Sequence, residues 1–163
     1  MDLSSSVIIC NNCIGGFLYS DFSQKFLSPT INLQIEAEDF LKLCANLEEY
    51  LSEELIEDES PENVKLFQEW NTHPFPIGYL KDVKIFFQHY YSFAEAKSCW
   101  EKRSLRMLKE IKKGAQVNII MIQKDFRGDT TSCLRSCLMK IKYICINFLR
   151  KSLYNLICQI HMC

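Results

Sequence analysis

At 163 residues, 48% hydrophobic and with a formal net charge of −1, the chain has the length of one globular domain with a sizeable core and lacks a global positive field for nucleic acid. Charge is nonetheless segregated, acid over Glu48 to Glu62 and base over Lys97 to Lys113, so local patches remain for charged ligands. The cysteine count, nine, is odd, and Met1-Asp2-Leu3-Ser4-Ser5-Ser6 does not read as a secretory leader; reduced thiols and a cytoplasmic location are expected, and no apolar run approaches the roughly 20 residues that span a bilayer.

Val7-Ile8-Ile9-Cys10 reads as a buried strand running into Asn11-Asn12-Cys13-Ile14-Gly15-Gly16, where Asn and Gly permit positive φ and leave amides free to meet a ligand. At the C-terminal end of a parallel strand, this turn is the expected place for chemistry. Phe17, Leu18 and Phe22 then fall at helical spacings and predict a short helix beginning near the glycines. Its N-terminus would face the turn and favour an anion or a carbonyl oxygen. Ile31, Leu33 and Ile35 alternate with polar residues after Ser28-Pro29, as in a half-buried strand. Phe40, Leu41, Leu43, Cys44, Leu47, Tyr50, Leu51 and Leu55 predict one amphipathic helix from Asp39 to Leu55, with Glu38-Asp39 at its start.

Glu57 to Glu62 predicts a surface loop, Val64 to Trp70 a short helical turn, and Asn71 to Gly78, with Pro74 and Pro76, an extended or turning stretch. Val83, Ile85 and Phe87 alternate as a strand that delivers His89 and Tyr90 to its end. Phe93 to Lys113 predicts a second helix with a basic surface, stopped by Gly114, and Val117 to Ile122 a buried strand. Strands alternating with helices predict an α/β fold: a single layered domain with a mostly parallel sheet flanked by helices over residues 1–124, then an atypical basic, cysteine-rich helical tail over 125–163.

The ordered set Asn11-Asn12-Cys13-x-Gly-Gly, Ser28-Pro29-Thr30, Pro76-x-Gly78-x-Leu80-x-Asp82, His89-Tyr90 and Glu95-Ala96-x-x-x-Trp100-x-x-Arg103 resembles the uncharacterised bacterial domain-of-unknown-function family numbered nineteen-nineteen. The resemblance covers about Val7 to Ile122. It implies a cytoplasmic α/β protein encoded among genes for exopolysaccharide or capsule synthesis, with transferase activity on a sugar or its activated donor. It carries no established reaction. Cys10 stands where the family pattern has serine, which weakens the pair Cys10-x-x-Cys13 as an ancestral redox unit.

On this basis His89, Cys13 and Ser28 are the catalytic candidates: His89 as a general base toward a sugar hydroxyl, Cys13 or Ser28 as its neighbour or as a nucleophile. Asn11, Asn12, Gly15 and Gly16 are expected around the substrate. Trp100 and Arg103, one helical turn apart, suit a sugar ring and a phosphate, as in a nucleotide sugar. Each has a bland alternative: a turn histidine for His89, a core aromatic for Trp100 and a covering ion pair for Arg103. No Asp-x-Asp motif, glycine-rich nucleotide fingerprint or P-loop is present, so no cofactor is assigned, and the Cys/His spacing assigns no metal. The competing functions are a noncatalytic module that recruits polysaccharide-synthesis enzymes and a thiol redox protein using Cys10 and Cys13.

The resemblance stops near Lys124 to Thr130. From Cys133 to Cys163 the chain holds five cysteines, five Lys or Arg residues and no acid. Leu134, Leu138, Ile141, Cys145 and Phe148 form a helical stripe, continued by Leu153, Leu156, Ile157 and Ile160. Three readings of this tail stand side by side: a helix packed on the domain, a peripheral contact with anionic membrane, or a truncated or frameshifted sequence.

Overall fold

The computed structural model describes residues 6–21, 23–60, 75–123, 145–150 and 160–161. Strand β1 (Val7–Cys10) pairs in parallel with β5 (Val117–Gln123), in register Val7↔Val117 to Cys10↔Ile120. Predominantly apolar sequence makes both strands fit for burial on two faces. Val7, Ile9, Val117, Ile119 and Met121 enter the larger core cluster, while Ile8, Cys10 and Ile120 enter a smaller one on the other face. Helix α1 (Ile14–Asp21) supplies Tyr19 to the smaller cluster. The 20-residue helix α4 (Phe93–Lys112) supplies Ala96, Trp100 and Met107 to the larger one.

Tyr19 does more than pack. Its hydroxyl accepts from Ile8 N at 2.7 Å and donates to Ile8 O at 3.2 Å, and the Thr30 hydroxyl accepts from Cys10 N at 3.0 Å. In the sheet order β1-β5-β6-β7, with β6 at Cys145–Arg150 and β7 at Ile160–His161, β1 is an edge, so side-chain hydroxyls take the bonds that a further strand would take.

Between β1 and α4 lie α2 (Ala37–Ala45), α3 (Leu47–Ser52) and an antiparallel sheet of β2 (Ile56–Glu57), β3 (Ile77–Leu80) and β4 (Val83–Phe86). The single helix expected over Asp39 to Leu55 is two helices, parted at Asn46, whose φ −134° and ψ 47° leave the helical region. Asn competes locally with the helical backbone, and the apolar period alone does not register such a break. The stretch Asn71 to Gly78, expected as extended or turning because the residues before Pro74 and Pro76 avoid the helical region, runs into strand β3 at Ile77. Gly78 is suited to it: a Cβ there would meet Phe93 Cε2 at 2.9 Å and Ile56 O at 3.1 Å. Lys81, at φ 52°, turns the chain into β4.

Ser92 caps α4, its side chain accepting from Glu95 N at 3.2 Å, and Gly114 at φ 89° ends it as expected. The Ile31 to Ile35 stretch forms no strand. It is irregular chain with one antiparallel bridge, Gln34↔Phe86.

Cys145–Arg150 forms strand β6, parallel to β5, and Ile160–His161 forms β7, antiparallel to β6. The helical tail expected there is therefore corrected at these residues. A short apolar run fits helix or strand by periodicity alone, and pairing with β5 decides it. The sheet thus crosses the expected boundary at residue 124. The short helical turn expected over Val64 to Trp70, and the rest of the tail, lie outside the described residues. What holds from the expected class is a mixed helix-and-strand protein with parallel pairing; the antiparallel sheet is an addition to it.

Candidate functional site

Strand β1 ends at Cys10, and the next three residues turn the chain into α1. Asn11 is buried, its carbonyl accepting from Ile35 N at 2.8 Å. Asn12 Oδ1 accepts from Ile14 N at 2.9 Å and from the Cys10 thiol at 3.6 Å, so it closes the start of the helix. Helix α1 begins directly after Cys13, with Gly15 and Gly16 inside its first turn. The helix thus begins near the glycines, as expected, and includes them, so nothing separates Cys10-x-x-Cys13 from it. The glycines serve close packing: a Cβ on Gly15 would lie 3.0 Å from Cys10 Cβ, and one on Gly16 3.4 Å from Asn32 Oδ1.

Burial pushes the Cys10 thiol up to about 11, with Asn12, Gly15 and Asn11 backbone groups working against it. It stays a thiol near neutrality. Cys13 is half-buried at the helix start. The strand–turn–helix geometry of a dithiol site is present, but Cys10 lacks the exposed thiolate that exchange uses.

A segment without regular structure, 28–35, braces this turn. Ser28 Oγ lies 3.3 Å from Thr30 Oγ1, whose acceptor role toward Cys10 N is described above. Asn32 adopts φ 62°, a left-handed conformation that Asn tolerates better than most residues. Its carbonyl accepts from His89 N at 3.3 Å, and the Ile31 carbonyl accepts from Tyr90 OH at 3.0 Å. Arg103 donates to Tyr90 OH at 2.7 Å, and its guanidinium lies 5.4 Å from the Phe26 ring centroid. Burial raises the Tyr90 phenol, and the Arg103 charge opposes that rise. Gln88 Nε2 donates to Gln34 Oε1 at 2.8 Å.

Among the expected site residues, Asn11, Asn12, Cys13, Gly15, Gly16 and His89 are thus brought to one region through Asn32. His89 is exposed. It reaches that region from the end of β4, which belongs to the antiparallel sheet and not to a parallel one. Ser28 is fully buried and bonded to Thr30, so it shapes the interior and offers no accessible nucleophile. Trp100 is 2% exposed, with its ring edge-to-face on Phe87 at 6.3 Å, so it belongs to the core and presents no face to a sugar. Arg103 holds the loop after His89 through Tyr90. Asn32 and Tyr19 were not foreseen: a left-handed Asn has no periodic signature, and a Tyr on a helix reads as packing. Among the described residues, no group of three or more His, Cys, Asp and Glu side chains is placed to hold a metal ion.

These features define a mixed α/β protein whose strand–turn–helix unit carries an asparagine turn, closed over by a crossing segment and a histidine loop. The chain belongs to the family described as Domain of unknown function (DUF1919), whose model matches residues 2–127. An uncharacterized protein of Haemophilus influenzae is 34% identical over 100 residues, a match covering 61% of this chain and 43% of that protein. The chain therefore matches less than half the length of that relative.

Proposed function

We propose that the chain is a sugar-binding transferase of surface-polysaccharide synthesis, one layered α/β domain that acts on a sugar or its activated donor at the Asn12–Asn32–His89 surface. The observation that supports this reading is the gathering of neutral carboxamides beside the exposed His89 loop: Asn12 capping α1, Asn32 Oδ1 against Gly16, Gln34 and Gln88 bonded to each other, and the His89 backbone N–H donating to the Asn32 carbonyl. A carboxamide offers a donor and an acceptor in one plane, which matches neighbouring sugar hydroxyls without the desolvation cost of a full charge. The α1 dipole adds a mild preference for the negative part of a donor.

In the proposed reaction, the His89 imidazole takes the proton of an acceptor hydroxyl as that oxygen attacks the donor's activated carbon. The bond to the phosphate-bearing leaving group breaks, and the group departs with its electron pair. Polysaccharide synthesis and the transferase class come from the family resemblance.

The test is a thermal-shift titration of the full chain with nucleotide sugars, free sugars and nucleoside diphosphates in separate arms, followed by turnover of any sugar donor that binds. A ligand at a hundred times its Kd stabilises by about 2.7 kcal/mol. His89→Ala should leave melting unchanged and lower turnover by about 10²-fold or more. Asn12→Ala should weaken binding. Absence of a shift with every sugar arm, or full turnover by the His89 variant, refutes the proposal and favours a noncatalytic module that recruits polysaccharide-synthesis enzymes.

A further inference from the structure

The C-terminal half of α4 reads Lys102-Arg103-Ser104-Leu105-Arg106-Met107-Leu108-Lys109-Glu110-Ile111-Lys112, followed by Lys113, and so carries six basic residues and one acid. Trp100, Ser104 and Met107 turn inward. The opposite side therefore carries Lys102, Leu105, Lys109 and Lys112, all exposed. Lys102, Arg106, Lys109 and Lys113 recur at helical-neighbour spacings, forming a stripe about 16 Å long. Arg106 is fixed by donating to the Phe26 carbonyl, which brings the chain next to the exposed Lys25 up to the stripe.

Four lysines elsewhere among the described residues are neutralised in a way the stripe is not. Lys42, Lys81, Lys84 and Lys97 are each paired with carboxylates from Asp39, Asp82, Glu49, Glu53, Asp58 or Glu54. Among the described residues, Lys102, Lys109 and Lys112 form no ion pair; Lys113 pairs with Glu110. Glu101, also exposed, is the acidic neighbour one turn before Leu105.

Leu105 identifies the kind of anion. It is 70% exposed and sits between Lys102 and Lys109 on the helix surface. A soluble polyanion would engage the lysines and leave Leu105 in water, whereas a bilayer places hydrocarbon directly beneath its anionic headgroups. We propose that this face of α4 is a peripheral docking surface for an anionic lipid bilayer, with the lysines at the headgroups and Leu105 at the acyl boundary. Among the described residues no helix is long and apolar enough to cross a membrane.

The experiment is co-sedimentation of the full chain with vesicles of phosphatidylcholine alone and of phosphatidylcholine mixed with phosphatidylserine, over a range of salt. Binding is expected only to the phosphatidylserine vesicles and should weaken as salt rises. Lys102→Glu with Lys109→Glu should reduce it by about tenfold or more, and Leu105→Ser should weaken it at every salt concentration without changing the salt slope. All three positions are exposed, and circular dichroism checks that the fold survives; Lys102→Gln with Lys109→Gln repeats the test if charge reversal disturbs it. The proposal is overturned if phosphatidylserine vesicles are not bound, or if the double variant binds like the parent, which would assign binding to another basic segment. It is also overturned if Leu105→Ser has no effect while a soluble polyanion competes fully.

Discussion

Tyr19→Phe removes one oxygen and leaves the ring. That oxygen serves both backbone groups of Ile8, accepting from N at 2.7 Å and donating to O at 3.2 Å, and Ile8 is fully buried. Neither group can turn to water in the variant. A buried donor or acceptor left unpaired costs about 1–3 kcal/mol, so two of them cost roughly 2–6 kcal/mol. For a chain of this size each kcal/mol lowers Tm by about 2–4 °C, which places the loss at about 4–24 °C. The assay is thermal and urea unfolding of parent and variant, with Thr30→Val alongside, since Thr30 serves only Cys10 N on that edge. The Tyr19 variant should be the weaker of the two. A fall of less than about 2 °C, with unfolding still cooperative, would refute the view that hydroxyls seal the β1 edge.

Burial raises the Cys10 thiol from its ordinary 9.0 to about 11. The unfolded chain thus loses this proton first, and the stability tied to the neutral thiol is complete below about pH 9 and lost as pH rises toward 11, by roughly 2–3 kcal/mol. Cys10→Ala should show a shallower alkaline decline over that window; the buried tyrosines Tyr19 and Tyr90, also raised, act with the same sign in both proteins, so parallel declines would disprove the assignment. Trp100→Ala should lose about 3–5 kcal/mol by urea unfolding. Normal stability with loss of a sugar ligand would instead return Trp100 to the site. Ser92→Ala removes the α4 cap and should cost about 1 kcal/mol in the same assay.

Sequence reasoning worked best where one physical signal dominates. The β1 run is apolar throughout and β5 nearly so, with Asn118 buried among its apolar residues, because both faces are covered, and α4 combines a clear period with a glycine stop. It failed where tertiary contacts overrule local preference. Gly78 occupies a strand because Phe93 and Ile56 leave no room for a side chain, and nothing near Gly78 in sequence records that crowding. The turn at Asn11 to Gly16 was legible as polar and permissive. Its glycines nevertheless pack against Cys10 and Asn32 rather than opening toward a ligand. Trp100 and Ser28 illustrate the same limit: residue type suggested chemistry, and burial removed both from the surface.

The irregular 28–35 segment also bears on how the protein is made. Its bonds join partners distant along the chain: 20 residues from Cys10 to Thr30, 54 from Gln34 to Gln88 and 59 from Ile31 to Tyr90. Each requires a long loop to close before any return is gained, so contacts of this kind form slowly and after local helices. The α1 turn has its own Asn12 cap and can take shape early. The surface around Asn32 and His89 exists only once the β3–β4 hairpin has docked. A nascent chain released before that hairpin emerges would hold the asparagine turn without the histidine loop that faces it, which makes assembly of this surface one of the last events of folding.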